Sequence, residues 1–226
     1  MSLQRIHLRK LLKIMYAEGV ERVRFLRSDI REDMARERGG EDGGDGSGGG
    51  DFYAPFWRDA KDHVYGYADL HDATAARIVS NSGRRNLYPQ LRDGFLVWWN
   101  ERRRWTNAPF EPIAPPTMYF SVPSTDTTVK VGGILAVRDG RRDDHFIYPY
   151  WFPAPLISEE AGRVGLWVLA QALPRIDPGE LRILDVIRGQ SFALDRTPFV
   201  GDEHRLFIRR YTSAVADWNR LRAEYE

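Results

Sequence analysis

The chain has 226 residues, no cysteine and a formal net charge of +1, from 33 basic and 32 acidic residues. The absence of cysteine excludes disulfides, thiolate metal sites and cysteine nucleophiles. The nearly neutral net charge argues against a protein whose whole surface binds polyanions. No apolar run approaches the roughly 18 residues of a transmembrane helix, so we expect no membrane association and a cytoplasmic protein.

Two amphipathic helices are predicted in residues 1–38. Apolar residues recur at helical spacing in two stripes, at positions 8, 11, 12 and 15 and then at 23, 26, 30 and 34. The glycine-rich stretch 39–51, which contains GGEDGGDGSGGG, predicts a flexible linker. We therefore expect residues 1–38 to form a tethered helical pair that is free to dock on the body, residues 52–226, or on a partner.

The body changes from helical to strand periodicity along the chain. Residues 52–105 predict a helical lead-in, residues 117–194 a sheet core, and residues 202–225 a final helix. Strands are expected at 118–122, 128–137, 145–152, 181–187 and 191–194, with a helix capped by Ser158 after the third. Short turns join the first three strands into a meander, and the helical crossover allows the fourth to pair in parallel.

The expected fold class is therefore α/β, with α+β as the alternative arrangement. It has a central mixed sheet of four to five strands, flanked by helices, and the N-terminal helical pair.

This order of elements resembles the core of the PD-(D/E)XK nuclease superfamily, particularly the RecB-type nucleases, over about residues 85–194. Residues 131–140, VGGILAVRDG, look like the second core strand, which in the family reads approximately G-x-I-D-x-V. Strand 145–152 would carry the acid-x-Lys signature. The helix over 158–173 looks like the helix that carries a Gln-x-x-x-Tyr motif in RecB-type members.

The departures from that family pattern fall on its catalytic positions. Leu135 or Ala136 stands where the metal-binding Asp would lie, and residues 146–157 contain no Asp, Glu or Lys. Arg163 and Trp167 occupy the Gln-x-x-x-Tyr positions. A divalent cation that activates water needs oxygen ligands. The resemblance therefore implies an inactive copy with no catalytic residues and no cofactor.

Two alternative sites remain open in the sequence. Migrated acidic ligands at Asp185, Glu160 and Asp144 would restore a nuclease that uses Mg²⁺ or Mn²⁺, although Asp185 within an apolar strand is more typical of a structural, hydrogen-bonded carboxylate. The second alternative is a transition-metal site at Asp59, His63 and His71. Asp59 and His63 are also four residues apart, the spacing of two side chains that interact directly on one helix.

Basic residues predict a nucleic-acid contact around one helix. The candidates are Arg84, Arg85, Arg102, Arg103, Arg104 and Trp105. An arginine run beside an aromatic residue suits backbone neutralisation and base stacking. A solvated helix end, with Trp105 packed in the core, explains the same pattern.

We therefore predict a non-catalytic, nuclease-like binding or scaffolding protein with a protein partner, and with DNA or RNA as a candidate ligand. Fold analogy suggests a prokaryotic DNA-processing, mobile-element or defence complex. An active metal-dependent nuclease and a pure protein–protein interaction module are the alternatives. The sequence sets no oligomeric state.

Overall fold

The protein is a mixed α/β structure. The computed structural model describes residues 2–38, 50–103 and 109–225. The helices are α1 (Leu8–Tyr16), α2 (Gly19–Arg38), α3 (Gly50–Val64), α4 (Leu70–Ser80), α5 (Tyr88–Arg103), α6 (Glu159–Ala172) and α7 (Glu203–Arg222). The strands are β1 (Arg5–His7), β2 (Glu111–Pro112), β3 (Met118–Ser121), β4 (Thr128–Val131), β5 (Leu135–Arg138), β6 (Asp144–Tyr150), β7 (Leu181–Asp185) and β8 (Gln190–Phe192). Within these ranges, no helix combines the length and apolar character that crossing a bilayer requires.

The central sheet has five strands in the order β2-β5-β6-β7-β8. Strands β5 and β6 are antiparallel, and β7 pairs with β6 in parallel after the crossover through α6. The Ser158 side chain caps α6 by accepting a hydrogen bond from the Ala161 amide. The predicted mixed sheet, its crossover helix and its parallel fourth strand are therefore confirmed.

The predicted three-stranded meander is wrong, because the stretch 128–137 forms two strands rather than one. Strand β4 ends at Val131 and β5 begins at Leu135, and they belong to different sheets. Gly133 lies between them with φ of 78°, a backbone conformation that breaks an extended strand and that glycine adopts readily. A second sheet, with the order β1-β4-β3, results.

Residues 2–38 pack against the main body, one of the two arrangements expected for the tethered unit, and they contain a short strand, β1, besides the two helices. Strand β1 pairs in parallel with β4, with Ile6 opposite Val129. Helix α1 buries Leu8 and Leu11 completely in the same core as β6 and α7. Most of the predicted linker, residues 39–49, lies outside the described residues, and its last two residues, 50 and 51, open α3.

The two faces of the central sheet bury separate cores. Phe146 and Tyr148 of β6 pack against α1, α6 and α7, whereas Ile147 between them packs against α3 and α5. This alternation follows from the two-residue period of a strand. Because both faces are covered, β6 is buried continuously from Phe146 to Tyr150.

Candidate anion-binding site

A polar recess of about 310 Å³ lies between the C-terminal part of α5 and the edge formed by β7 and β8. Its lining, which we call the arginine pocket, comprises Trp98, Glu101, Arg102, Arg182, Ser191, Ala193, Asp195 and Arg196. Trp98 and Ala193 are buried, and Arg182 and Ser191 are half-buried. The other four side chains are exposed. The pocket therefore has a closed, mainly uncharged base and a charged rim.

A close helix–turn contact positions α5 over the sheet edge. A Cβ atom on Gly94 of α5 would lie 2.5 Å from the carbonyl carbon of Ile187 and closer still to the carbonyl oxygens of Val186 and Ile187. Only glycine allows this approach. Gly189 turns the chain there with φ of 63°, which sends it back into β8. The contact brings the end of α5, and Arg102, beside Arg182 of β7.

None of Arg102, Arg182 and Arg196 lies within ion-pairing distance of a carboxylate among the described residues, and Asp195 at the rim acts on Arg102 and Arg182 only from further away. Elsewhere, arginines are commonly neutralised. Arg138 pairs with Asp144 at 2.6 Å, and Arg210 pairs with Glu160 at 2.8 Å. Three arginines thus line one recess without a carboxylate in direct contact.

A half-buried hydrogen-bond chain orients Arg182. Its Nη1 donates to Nδ1 of His145 at 3.2 Å, and Nε2 of His145 lies 3.0 Å from Oδ2 of Asp139. Since a guanidinium only donates, Nδ1 must accept, and the ring proton resides on Nε2 and is donated to Asp139. Both ring nitrogens are engaged. His145 therefore acts as a positioning residue and has no free lone pair for base catalysis.

The ionisation states fit this assignment. Burial lowers the pKa of His145, and the Arg182 guanidinium acts in the same direction, while the hydrogen bond to Asp139 opposes them. Burial also lowers the pKa of Arg182 to about 10, helped by the neighbouring charge of Arg102. At neutral pH, His145 is neutral and Arg182 is charged, so the chain presents a cation to the pocket.

Trp98 closes the base of the pocket with a largely buried ring. The residue is 4% exposed, and its indole Nε1 is buried without a hydrogen-bond partner in the part of the chain that the structure describes. Buried donors normally find an acceptor. Because this indole nitrogen has almost no exposed surface, it does not face the recess, and the half-buried Ser191 supplies the uncharged donor beside the arginines.

The three predicted nucleic-acid residues whose side chains the structure describes, Arg84, Arg85 and Arg102, do not lie together. Arg102 lines the pocket, but Arg84 and Arg85 precede α5 at its other end, about 20 Å away along the helix. Arg84 donates to the hydroxyl of Ser80 at 3.2 Å, and Arg85 is exposed. Position 103 ends α5, but its side chain lies outside the description, as do positions 104 and 105 entirely. The sequence reasoning missed Arg182 and Arg196, which carry no local signal.

The alternative nuclease ligands are each ion-paired and lie apart. Asp144 contacts Arg138, Glu160 contacts Arg210, and Asp185, 1% exposed, lies 3.2 Å from Arg188. Asp185 is opposite Tyr150, six residues beyond Asp144 on β6, so the two aspartates are about 20 Å apart along the sheet. Burial raises the pKa of Asp185, and Arg188 opposes that shift.

The alternative transition-metal residues also have structural contacts. Asp59 receives two hydrogen bonds from Arg77, both of 2.8 Å. The Nδ1 of His63 lies 3.3 Å from the Leu70 amide at the start of α4, and His71 is exposed. Across the described ranges, no three His, Cys, Asp or Glu side chains are grouped to hold a metal ion.

Comparison with known proteins leaves the pocket as the guide to function. No protein-family model matches the chain, and no curated protein matches it. The arginines of the pocket and the groups that orient them therefore support the proposed function.

Proposed function

We propose that this protein is a non-catalytic binding protein that holds phosphate groups of nucleic acid in the arginine pocket. The observation that carries the proposal is the convergence of Arg102, Arg182 and Arg196 on one recess without a carboxylate partner among the described residues. Guanidinium groups bind phosphate oxygens in bidentate geometry and remain charged. An unpaired cation cluster at a rim open to solvent is stabilised when an anion enters it.

The fixed direction of Arg182 strengthens the proposal. A solvated arginine loses side-chain freedom when it binds a ligand, and that loss weakens binding. Arg182 is already held by His145, and His145 by Asp139, at 3.2 and 3.0 Å. This part of the pocket is therefore organised before the ligand arrives.

A nuclease-like scaffold without catalysis is part of the same proposal. The antiparallel pair β5–β6, followed by the crossover through α6 to a parallel β7, is compatible with the expected nuclease core. Leu135 and Ala136, at the expected ligand position, are both fully buried apolar residues. They offer no oxygen to a divalent cation.

The binding experiment measures affinity for single- and double-stranded DNA and RNA of about 16 nucleotides by fluorescence anisotropy. We expect Kd to rise between about 50 and 200 mM salt, because bound counterions are released on binding. Arg196→Ala should weaken binding about 10- to 100-fold, the equivalent of one charged hydrogen-bonded contact.

The matched control is Arg205→Ala, which removes the same charge from an arginine whose side chain is 83% exposed on α7, outside the pocket. It should leave Kd nearly unchanged. Equal losses in the two variants, or no binding by the wild type at low salt, would contradict the proposal.

A cleavage assay tests the absence of catalysis. We expect no degradation of DNA with Mg²⁺ or Mn²⁺, and no difference when EDTA is added. Metal-dependent cleavage that disappears in both Asp185→Ala and the isosteric Asp185→Asn would favour the alternative, an active nuclease with migrated ligands, and would overturn this proposal.

A protein-interaction module is the second candidate, favoured by a groove of about 470 Å³ along α2. It is lined by Val20, Val23, Arg24, Arg27, Arg31 and Tyr225. Val20 is 85% exposed. Crosslinking in the host that captures a partner with wild type and Arg196→Ala, but not with Val20→Asp, together with no nucleic-acid binding, would support this candidate.

A further inference from the structure

We propose that the arginine pocket receives the terminal phosphomonoester of a nucleic-acid strand in preference to an internal phosphodiester. This inference rests on the proposed function, since it specifies which phosphate group the same pocket holds. Three features support it: the closed base, the number of unpaired guanidinium groups and the two carboxylates at the rim.

The shape of the pocket favours a strand end. Trp98 and Ala193, which line it, are 4% and 6% exposed, so they close its base against the protein interior. A phosphodiester within a strand has nucleotides on both sides and is best held by an open groove that tracks the backbone. A recess of about 310 Å³ that is closed at the base instead suits a group with the chain leaving on one side only.

The donors of the pocket favour a phosphomonoester. Three arginines and two carboxylates line one small volume, which gives it a formal charge of +1, and the charge of Arg102 lowers the pKa of Arg182 while Asp195 opposes that shift. A phosphodiester carries one negative charge, whereas a phosphomonoester carries about −1.5 to −2 at neutral pH and presents three acceptor oxygens. The monoester can thus satisfy more of the donors at once.

The rim discriminates against a continuing strand. Glu101 and Asp195 line the pocket, are exposed, and have no ion-pair partner among the described residues. The C-terminal end of α5 adds partial negative charge beside them. An internal phosphodiester brings neighbouring phosphates past this rim on both sides, within the roughly 8 Å range of unscreened repulsion. A strand end brings them on one side only.

The test compares otherwise identical oligonucleotides that carry a 5′-phosphate, a 3′-phosphate or neither, titrated against the full chain. We expect one phosphorylated end to bind at least about tenfold more tightly than the unphosphorylated strand, as for one additional charge-assisted contact. The preferred end then identifies the polarity of the strand in the pocket.

Variants assign the preference to the pocket. Arg196→Ala should bring the ratio of the Kd for the unphosphorylated strand to the Kd for the preferred phosphorylated strand towards one. Arg205→Ala should leave this ratio unchanged. The double variant Glu101→Gln, Asp195→Asn should improve binding of the unphosphorylated strand more than that of the phosphorylated strand, which also lowers the ratio. Circular dichroism melts confirm that each variant is folded.

The outcomes separate this inference from the proposed function. Equal affinity for all three oligonucleotides, with a loss in Arg196→Ala, would overturn the terminal-phosphate inference and leave phosphate binding in place. A preference for a phosphorylated end that Arg196→Ala retains would also overturn it. Failure of every oligonucleotide to bind would overturn both.

Discussion

Replacing Gly94 by alanine tests whether the contact between α5 and the turn after β7 positions the pocket. The added Cβ would lie 2.5 Å from the carbonyl carbon of Ile187 and nearer to two carbonyl oxygens. Because ordinary carbon contacts are about 3.5–4.0 Å, α5 or the turn must retreat by about 1 Å. All three of these atoms belong to the backbone, so no side-chain rotation relieves the clash.

The magnitude follows from two opposing terms. Overpacking of this kind destabilises by about 1–3 kcal/mol, and a backbone obstacle favours the upper value. Alanine in place of glycine within a helix stabilises by about 1 kcal/mol. The net loss is therefore about 2 kcal/mol, which corresponds to a decrease in Tm of about 4–8 °C for a chain of this size.

Thermal unfolding monitored by circular dichroism measures the decrease in Tm, and Val97→Ala on the same helix is the control. Val97 is 55% exposed, and its truncation should change stability by less than about 0.5 kcal/mol. Gly94→Ala should also weaken oligonucleotide binding, because Arg102 moves with α5. A Gly94→Ala protein as stable as the wild type, with unchanged Kd, would refute the packing reasoning.

Three other predictions concern charged or titratable groups that are buried or half-buried. Asp185→Ala should destabilise the fold by about 3 kcal/mol in urea unfolding, because Arg188 loses its buried partner, and Asp185→Asn should lose less. Asp29→Ala should cost about 3 kcal/mol in the same assay, since Asp29 pairs with Lys10 at 2.6 Å and accepts from Trp218 at 3.0 Å; an unchanged urea midpoint would contradict this. His145 has a folded pKa below 6.5, so the unfolded chain binds more protons, and the stability it contributes is complete above pH 6.5 and lost below it. Tm should therefore fall less steeply on acidification in His145→Gln than in the wild type.

The crossover was predictable because its signals are local. Ser158 marks the start of α6, and the apolar stripe of that helix leads to the apolar strand that begins at Leu181. A capped helix between two apolar strands has few alternatives to a parallel crossover. The division of 128–137 into two strands was not predictable in the same way. Only Gly132 and Gly133 mark it, within an otherwise continuous apolar run.

The pocket was only partly predictable because its residues converge from distant parts of the chain. Arg102 is conspicuous as a member of an arginine run, but Arg182 stands alone in an apolar strand and Arg196 in a turn. Eighty positions separate the first two in sequence. Their proximity depends on the Gly94 contact and on the pairing of β7 with β8, which no periodicity reveals.

The pairing of β1 with β4 has a consequence for synthesis on the ribosome. Ile6 of β1 pairs with Val129, and Asp29 of α2 bonds to Trp218, so β1 and α2 can form these contacts only with residues that are synthesised 123 and 189 positions later. At a translation rate of about 5–20 residues per second, Trp218 is synthesised roughly 10–40 s after Asp29. During that interval the apolar face of α1, with Leu8, Leu11 and Leu12, has no core to enter. The nascent chain is thus expected to expose this face as a transient chaperone site until α7 is complete.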